Sequence, residues 1–354
     1  MKLAKTNSFE SLRLLLAMMV LIKHASDITG LGFAKGLGKI DLGTLGVFGF
    51  FSISGYLITP GLVRGGARNY LARRFFRIYP AYLLTVILLA LLFCPLWSYL
   101  EFKKIVIYYM YIAENIVFLP QSASSHDSFM NHLSGFPHFT NAPGIPNAPF
   151  WSLSLEFACY LMLAFIWWIK LPHLKMSYST KIFGIIAVFW PICIVISLGI
   201  TDFSLVNPSF LESLLAKWPY ILCFLIGSAF SLVKKRIRKI KLIFPILLIL
   251  VWFGSFSTFR FALFGALSIA IFVITIGESK IFTRIPVPID ISYGIYLYHF
   301  PIEQTLAHSS FLRDTPALFL PLSLMASTLP AYLSAKFIEV PFQRKARLWF
   351  SEKI

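Results

Sequence analysis

About ten apolar runs, each of roughly 15 to 22 residues, follow one another along this chain with short basic stretches between them. A helix of that length crosses ~30 Å of hydrocarbon at ~1.5 Å per residue. The candidate spans are 9–27, 44–63, 78–97, 150–170, 182–200, 214–233, 242–257, 260–278, 289–308 and 316–337. Of the 354 residues, 58% are hydrophobic and 13% charged, whereas a soluble domain carries roughly 25% charge. One core cannot hide so much apolar surface. The sequence therefore predicts an all-α integral membrane protein.

The formal charge of +17 does not point to nucleic acid, because Lys and Arg are clustered between the apolar runs. That placement suits cytoplasmic loops and anionic lipid headgroups. With the N-terminus inside, Arg64, Arg68, Arg73, Arg74 and Arg77 fall on the cytoplasmic side after the second run. An apolar piece at 104–119 decides the orientation of every later loop. If it does not cross, 170–181, the dense run 234–241 and the tail with Arg344, Lys345 and Arg347 are also cytoplasmic. The sequence thus predicts ten spans, both termini inside, and an interfacial or re-entrant segment at 104–119.

The start of the chain shows no small-residue cleavage pattern, so the first run reads as a retained span. The cysteines Cys94, Cys159, Cys193 and Cys223 stand singly within apolar runs and predict neither disulfide nor metal. The stretch 121–149 is an outside loop rich in Ser, Asn, Pro and Gly. Its histidines His126, His132 and His138 recur every six residues, a spacing that suits a polar lid better than a metal site.

Ionisable side chains inside a span are costly and are functional candidates. The first run carries Glu10, Arg13, His24 and Asp27. Arg13 and His24 lie eleven residues apart, on one helical face and separated by about 16 Å along the axis. Ala17 and Val20 between them are small and predict room beside the helix. Alternatively, Glu10–Arg13 and His24–Asp27 are self-satisfied pairs. Arg73, Arg74 and Arg77, with aromatics between them, form either a polyphosphate cradle or a topology anchor. The stretch WSLSLE at 151–156 puts Trp151 at an interface and Glu156 one turn inside, in need of His24 or an Arg as partner. The stretch SYGIYLYH at 292–299 sets Tyr293, Tyr296 and His299 within a span, as a polar tunnel or as inter-helical glue.

In this order, these segments resemble the acyltransferase-3 family of bacterial membrane acyltransferases, which includes O-antigen, capsule and nodulation-factor O-acetyltransferases. The resemblance implies a single domain over 8–345 in a bacterial cytoplasmic (inner) membrane. The matching pieces are Arg13 with His24, GVFGFFSISGYLIT at 46–59, and Arg73-Arg74 through Arg77-Ile78-Tyr79-Pro80. They continue with 151–156, 292–299 and Glu339-Val340-Pro341-Phe342. Gly49 and Val340 depart from the family pattern, outside the proposed chemistry. Some members carry an extracytoplasmic hydrolase-like domain; the short tail after 337 predicts none here, and hence action alone or with a separate extracytoplasmic partner.

The resemblance implies transfer of an acyl group, most often acetyl, from cytoplasmic acyl-CoA to a hydroxyl of an extracytoplasmic or lipid-linked glycan, without a metal. Arg73, Arg74 and Arg77 would bind the CoA phosphates, and Arg13 would line the way in. His24 would be the general base, oriented by Asp27 or Glu156. Trp151, Ser154, Tyr293, Tyr296 and His299 would contact substrate. A covalent acyl-enzyme is the mechanistic variant. A transporter or flippase, or a non-catalytic subunit of a polysaccharide export machine, is the alternative function.

Overall fold

Helices are the only regular secondary structure among the described residues of the computed structural model: 8–32, 34, 41–93, 96, 105–116, 147–169, 177–199, 208–233, 258–279 and 289–350. The histidine-bearing loop at 121–146, the basic run 234–241 and the expected span 242–257 lie outside them. In chain order the helices are α1 (Phe9–Thr29), α2 (Leu42–Leu88), α3 (Ile105–Ile116), α4 (Phe150–Trp168), α5 (Tyr178–Gly199) and α6 (Pro208–Leu232). They continue with α7 (Thr258–Glu278), α8 (Ser292–Leu306), the single turn α9 (Ser310–Arg313), α10 (Pro316–Ser334) and α11 (Val340–Trp349). Among the described residues, three apolar stretches are long enough to cross a membrane: Leu42–Phe93, Phe150–Trp168 and Pro316–Trp349.

Two expected spans, 44–63 and 78–97, turn out to be legs of one bent element. The basic stretch between them is itself helical, and the bend sits at Gly66, with φ 73° and ψ 168°. A residue with a Cβ rarely adopts that positive φ, so glycine is what permits the break. Asp41 starts the first leg by accepting the Thr44 N–H at 2.8 Å and its hydroxyl at 3.0 Å. The second leg ends in a π-turn, Leu89–Phe93. α3, in the segment expected to be interfacial or re-entrant, covers 12 described residues, about 18 Å. α8 has 15 residues against the expected run 289–308, because it begins after Asp290 and breaks into a turn at Ala307. The last long element runs from α10 through a π-turn at Ala335–Glu339 into α11.

α2 is the hub, in contact with α1, α4, α6, α7 and α11. Its tightest neighbour is α6. A Cβ on Gly55 would stand 2.0 Å from the Phe224 carbonyl oxygen, and one on Gly227 would stand 2.2 Å from that of Ser52. Two hydrogen side chains thus let the backbones touch, the small-residue contact typical of helices that pack in lipid. The room predicted beside α1 is absent for the same kind of reason. Ala17 is fully buried in a cluster with Ile295 and Ala331, and Val20 lies against Gly46. Neighbouring helices fill the gap that small side chains leave.

α1 and α8 run parallel. Arg13 meets Asp290 near their starts, Ala17 and Leu21 share a cluster with Ile295, and His24 lies beside His299 and Phe300.

Candidate active site

A cavity of about 180 Å³ opens where the two legs of α2 meet α1, α4 and α8. Arg13, Ser54, Arg74, Arg77, Ser152, Glu156, Tyr160, Tyr293 and Tyr296 give it polar walls, and Phe50, Phe51 and Leu57 are among its apolar ones. Each polar residue arrives for a local reason. Ser152, Glu156 and Tyr160 succeed one another at intervals of four on α4, and Tyr293 and Tyr296 at an interval of three on α8, so each set shares one helical face.

At the basic end, Arg13 Nη1 lies 2.7 Å from Asp290 Oδ2, and Arg77 Nη2 lies 3.6 Å from the same oxygen. Asp290 Oδ1 accepts the Ser292 N–H at 3.1 Å and its hydroxyl at 2.6 Å, which ties the carboxylate to the start of α8. Arg74 is different. Its Nε is buried and has no hydrogen-bond partner among the described residues. Arg73, predicted beside them, turns away: its Nε and Nη2 donate to the Phe350 carbonyl at 3.1 and 2.7 Å, at the end of α11.

Across the cavity, Glu156 Oε1 accepts the Tyr160 hydroxyl at 2.6 Å and the Ser54 hydroxyl. Its charge also acts on Arg13 and Arg74. The partners expected for Glu156 were His24 or an arginine; its hydrogen bonds go to hydroxyls instead. Ser152 donates to the Pro149 carbonyl at 3.0 Å, so Tyr296 is the donor in the 2.5 Å contact between their hydroxyls. Tyr293 donates to the Ile78 carbonyl at 2.9 Å.

His24 does not line the cavity. Its ring centroid lies 5.4 Å from that of His299 and 5.1 Å from that of Phe300. His299 lies 6.2 Å from Tyr296, which does line the cavity. A contiguous series of side chains therefore leads from the arginines through Tyr296 and His299 to His24. Asp27, expected to orient His24, accepts from Lys23 Nζ at 2.5 Å.

Trp151 packs its ring 5.1 Å from Tyr220, and Ser154 donates to the Phe150 carbonyl of its own helix at 3.2 Å. Neither lines the cavity. Ser154 lies about 200° around α4 from Ser152, so the two serines face different ways. Sequence reasoning passed over Ser54, Ser152, Tyr160 and Asp290. The interval of four to Glu156 marks two of them, and an Asp two residues before a helix-opening Ser marks Asp290.

Among the described residues, no three His, Cys, Asp or Glu side chains gather as metal ligands. A cavity with buried guanidinium at one end and hydroxyls at the other can take an anionic molecule head first and carry its tail toward the imidazoles.

Residues 6–336 match a family model described as an acyltransferase domain. An O-acetyl transferase of Shigella phage Sf6 is 26% identical over 349 residues, which cover 96% of each chain. Nodulation protein 10 of Rhizobium leguminosarum bv. viciae is 27% identical over 324 residues, 85% of this chain and 83% of that protein. The peptidoglycan O-acetyltransferase OatA of Listeria monocytogenes serovar 1/2a is 27% identical over 374 residues, 95% of this chain and 56% of the relative. No solved structure matches the chain.

Proposed function

The chain belongs to the acyltransferase-3 family and is an acyltransferase, and from that premise we propose that it moves an acetyl group from acyl-CoA to a hydroxyl of a glycan across a bacterial inner membrane. The family and the names of the relatives favour O-acyl transfer over a transporter or a non-catalytic subunit. The observation that carries the reading is a cavity that begins at Arg13, Arg74 and Arg77 and ends at Tyr296, whose ring neighbours that of His299, which in turn lies against His24. On the predicted topology the arginines face the cytoplasm and His24 lies toward the outside.

Arg74 and Arg77 suit the phosphates of the donor, and the unpartnered Arg74 Nε suits them best. The pantetheine arm then extends along the cavity toward the imidazoles. His24 takes the proton of the acceptor hydroxyl as its oxygen attacks the thioester carbonyl carbon. The tetrahedral adduct collapses, the carbon–sulfur bond breaks, and the leaving thiolate recovers the proton from the imidazolium. Ester and free thiol result, with the histidine restored.

The test is purified protein in liposomes with radiolabelled acetyl-CoA and an oligosaccharide acceptor. His24→Ala should lower the transfer rate on the order of 10²- to 10⁴-fold, the usual contribution of a general base. Full activity in a correctly folded His24→Ala protein would remove the histidine from the mechanism.

A further inference from the structure

Deepening the glycan-acylation reading and resting on it, we propose that Glu303, together with His299, forms the subsite that binds the acceptor sugar. Both residues have no solvent exposure, and they stand four apart on α8, hence on one face. His299 Nδ1 lies 2.9 Å from the Ile295 carbonyl, an oxygen that can only accept, so Nδ1 carries the proton and Nε2 is left as a bare acceptor. That Nε2 finds no hydrogen-bond partner among the described residues, nor does either oxygen of Glu303.

A buried polar atom without a partner is an exception that needs an explanation. Here three polar atoms on two consecutive turns share the same deficit. His299 adjoins His24, their ring centroids 5.4 Å apart. Ala25 and Ile28 of α1 share a buried cluster with Phe300 and Ala307, which flank Glu303 in sequence, so the site sits level with the far turn of that helix. His299 Nε2 can only accept, and the Glu303 carboxyl group has no partner of either kind among the described residues, so the pair calls for a ligand that brings donors. An apolar acyl chain has none, and the phosphates of the donor are acceptors themselves. Adjacent hydroxyls of a sugar supply what is missing: one hydroxyl gives its proton to His24, and its neighbours donate to His299 Nε2 and the Glu303 carboxyl group.

The experiment uses the full chain in liposomes with radiolabelled acetyl-CoA, and chitopentaose, maltopentaose and a muropeptide as acceptor probes. The best probe is carried forward to Glu303→Gln and Glu303→Asp. Loss of one buried hydrogen bond should raise the KM for the sugar about 10-fold in Glu303→Gln while the KM for acetyl-CoA stays put. Glu303→Asp, which keeps the carboxyl group, should recover part of the affinity. An unchanged sugar KM, or equal rises in both constants, overturns the subsite and leaves the acyltransferase reading standing. A wild-type protein that acylates none of the probes counts against glycan acylation itself, and this subsite falls with it. Should both variants fail to fold, the wild-type chain still decides the matter through labelling of Glu303 by dicyclohexylcarbodiimide. Slower labelling in saturating sugar supports the subsite, and an unaltered rate overturns it.

Discussion

Arg13 and Asp290, 277 residues apart in sequence, form a 2.7 Å ion pair that pins the start of α1 to the start of α8. The same carboxylate oxygen reaches Arg77 at 3.6 Å. Asp290 thus separates two guanidinium groups that would otherwise repel, and it does so in a partly buried site. Asp290→Ala should lower stability by about 2 kcal/mol, between the values for exposed and for fully buried pairs. A double-mutant cycle with Arg13→Met, read out by thermal unfolding in detergent, should return a coupling of about 1–3 kcal/mol. Additive effects would show that the pair contributes nothing.

The neighbouring arginines 73 and 74 should behave differently. Arg74 lines the cavity with a buried, unpartnered Nε, while Arg73 is spent on the Phe350 carbonyl. Arg74→Gln should raise the KM for acetyl-CoA about 10-fold or more, the value of one charge-assisted hydrogen bond. Arg73→Gln should instead loosen α11, seen as faster tryptic cleavage at Arg344 and Lys345. Identical donor kinetics in the two variants would contradict this division of labour.

Glu156 gathers the hydroxyls of Ser54 and Tyr160 on one oxygen. Glu156→Gln keeps a carbonyl oxygen for both donors, whereas Glu156→Leu strands them, at roughly 1–3 kcal/mol for each buried donor. Leu should therefore melt well below Gln in a dye-based thermal assay. Equal melting temperatures would mean that the hydroxyls find other acceptors.

A pair of glycine substitutions isolates the α2–α6 contact. Gly227→Ala drives a Cβ to 2.2 Å from the Ser52 carbonyl oxygen, a backbone atom that cannot swing aside, so the helices must part. Overpacking of this kind costs about 1–3 kcal/mol. Gly61→Ala, also on α2, meets nothing within 4 Å and should gain up to about 1 kcal/mol from helix propensity. Opposite shifts in melting temperature are the expected result.

Much of the site is legible in the sequence, because intramembrane charge is rare and helical spacing is regular. Arg13, Arg74, Arg77, Glu156, Tyr293 and Tyr296 all stand out by those signals, and all line the cavity. Partners are harder to foresee. Arg13 bonds a residue 277 positions away, and Asp27 accepts from Lys23 one turn earlier on its own helix. Ser154 rather than Ser152 is the expected contact until one asks which serine shares the face of Glu156. Glu303 is absent from the expected site, although a carboxylate in an apolar run is itself a signal. The bend at Gly66 is hidden because glycine is as common in a straight contact, such as that of Gly55, as at a break.

That bend has a consequence for how substrate range can vary. Ser54 stands before it and Arg74 and Arg77 after it, yet all three line one chamber. Like the jaws of a calliper, the two arms open by an amount set at their pivot, here the backbone torsions of a single residue. A small change of angle at Gly66 would alter the clearance at every depth between the arms, with no wall side chain replaced. Substitutions flanking the pivot are thus an economical route to a wider or narrower acyl group.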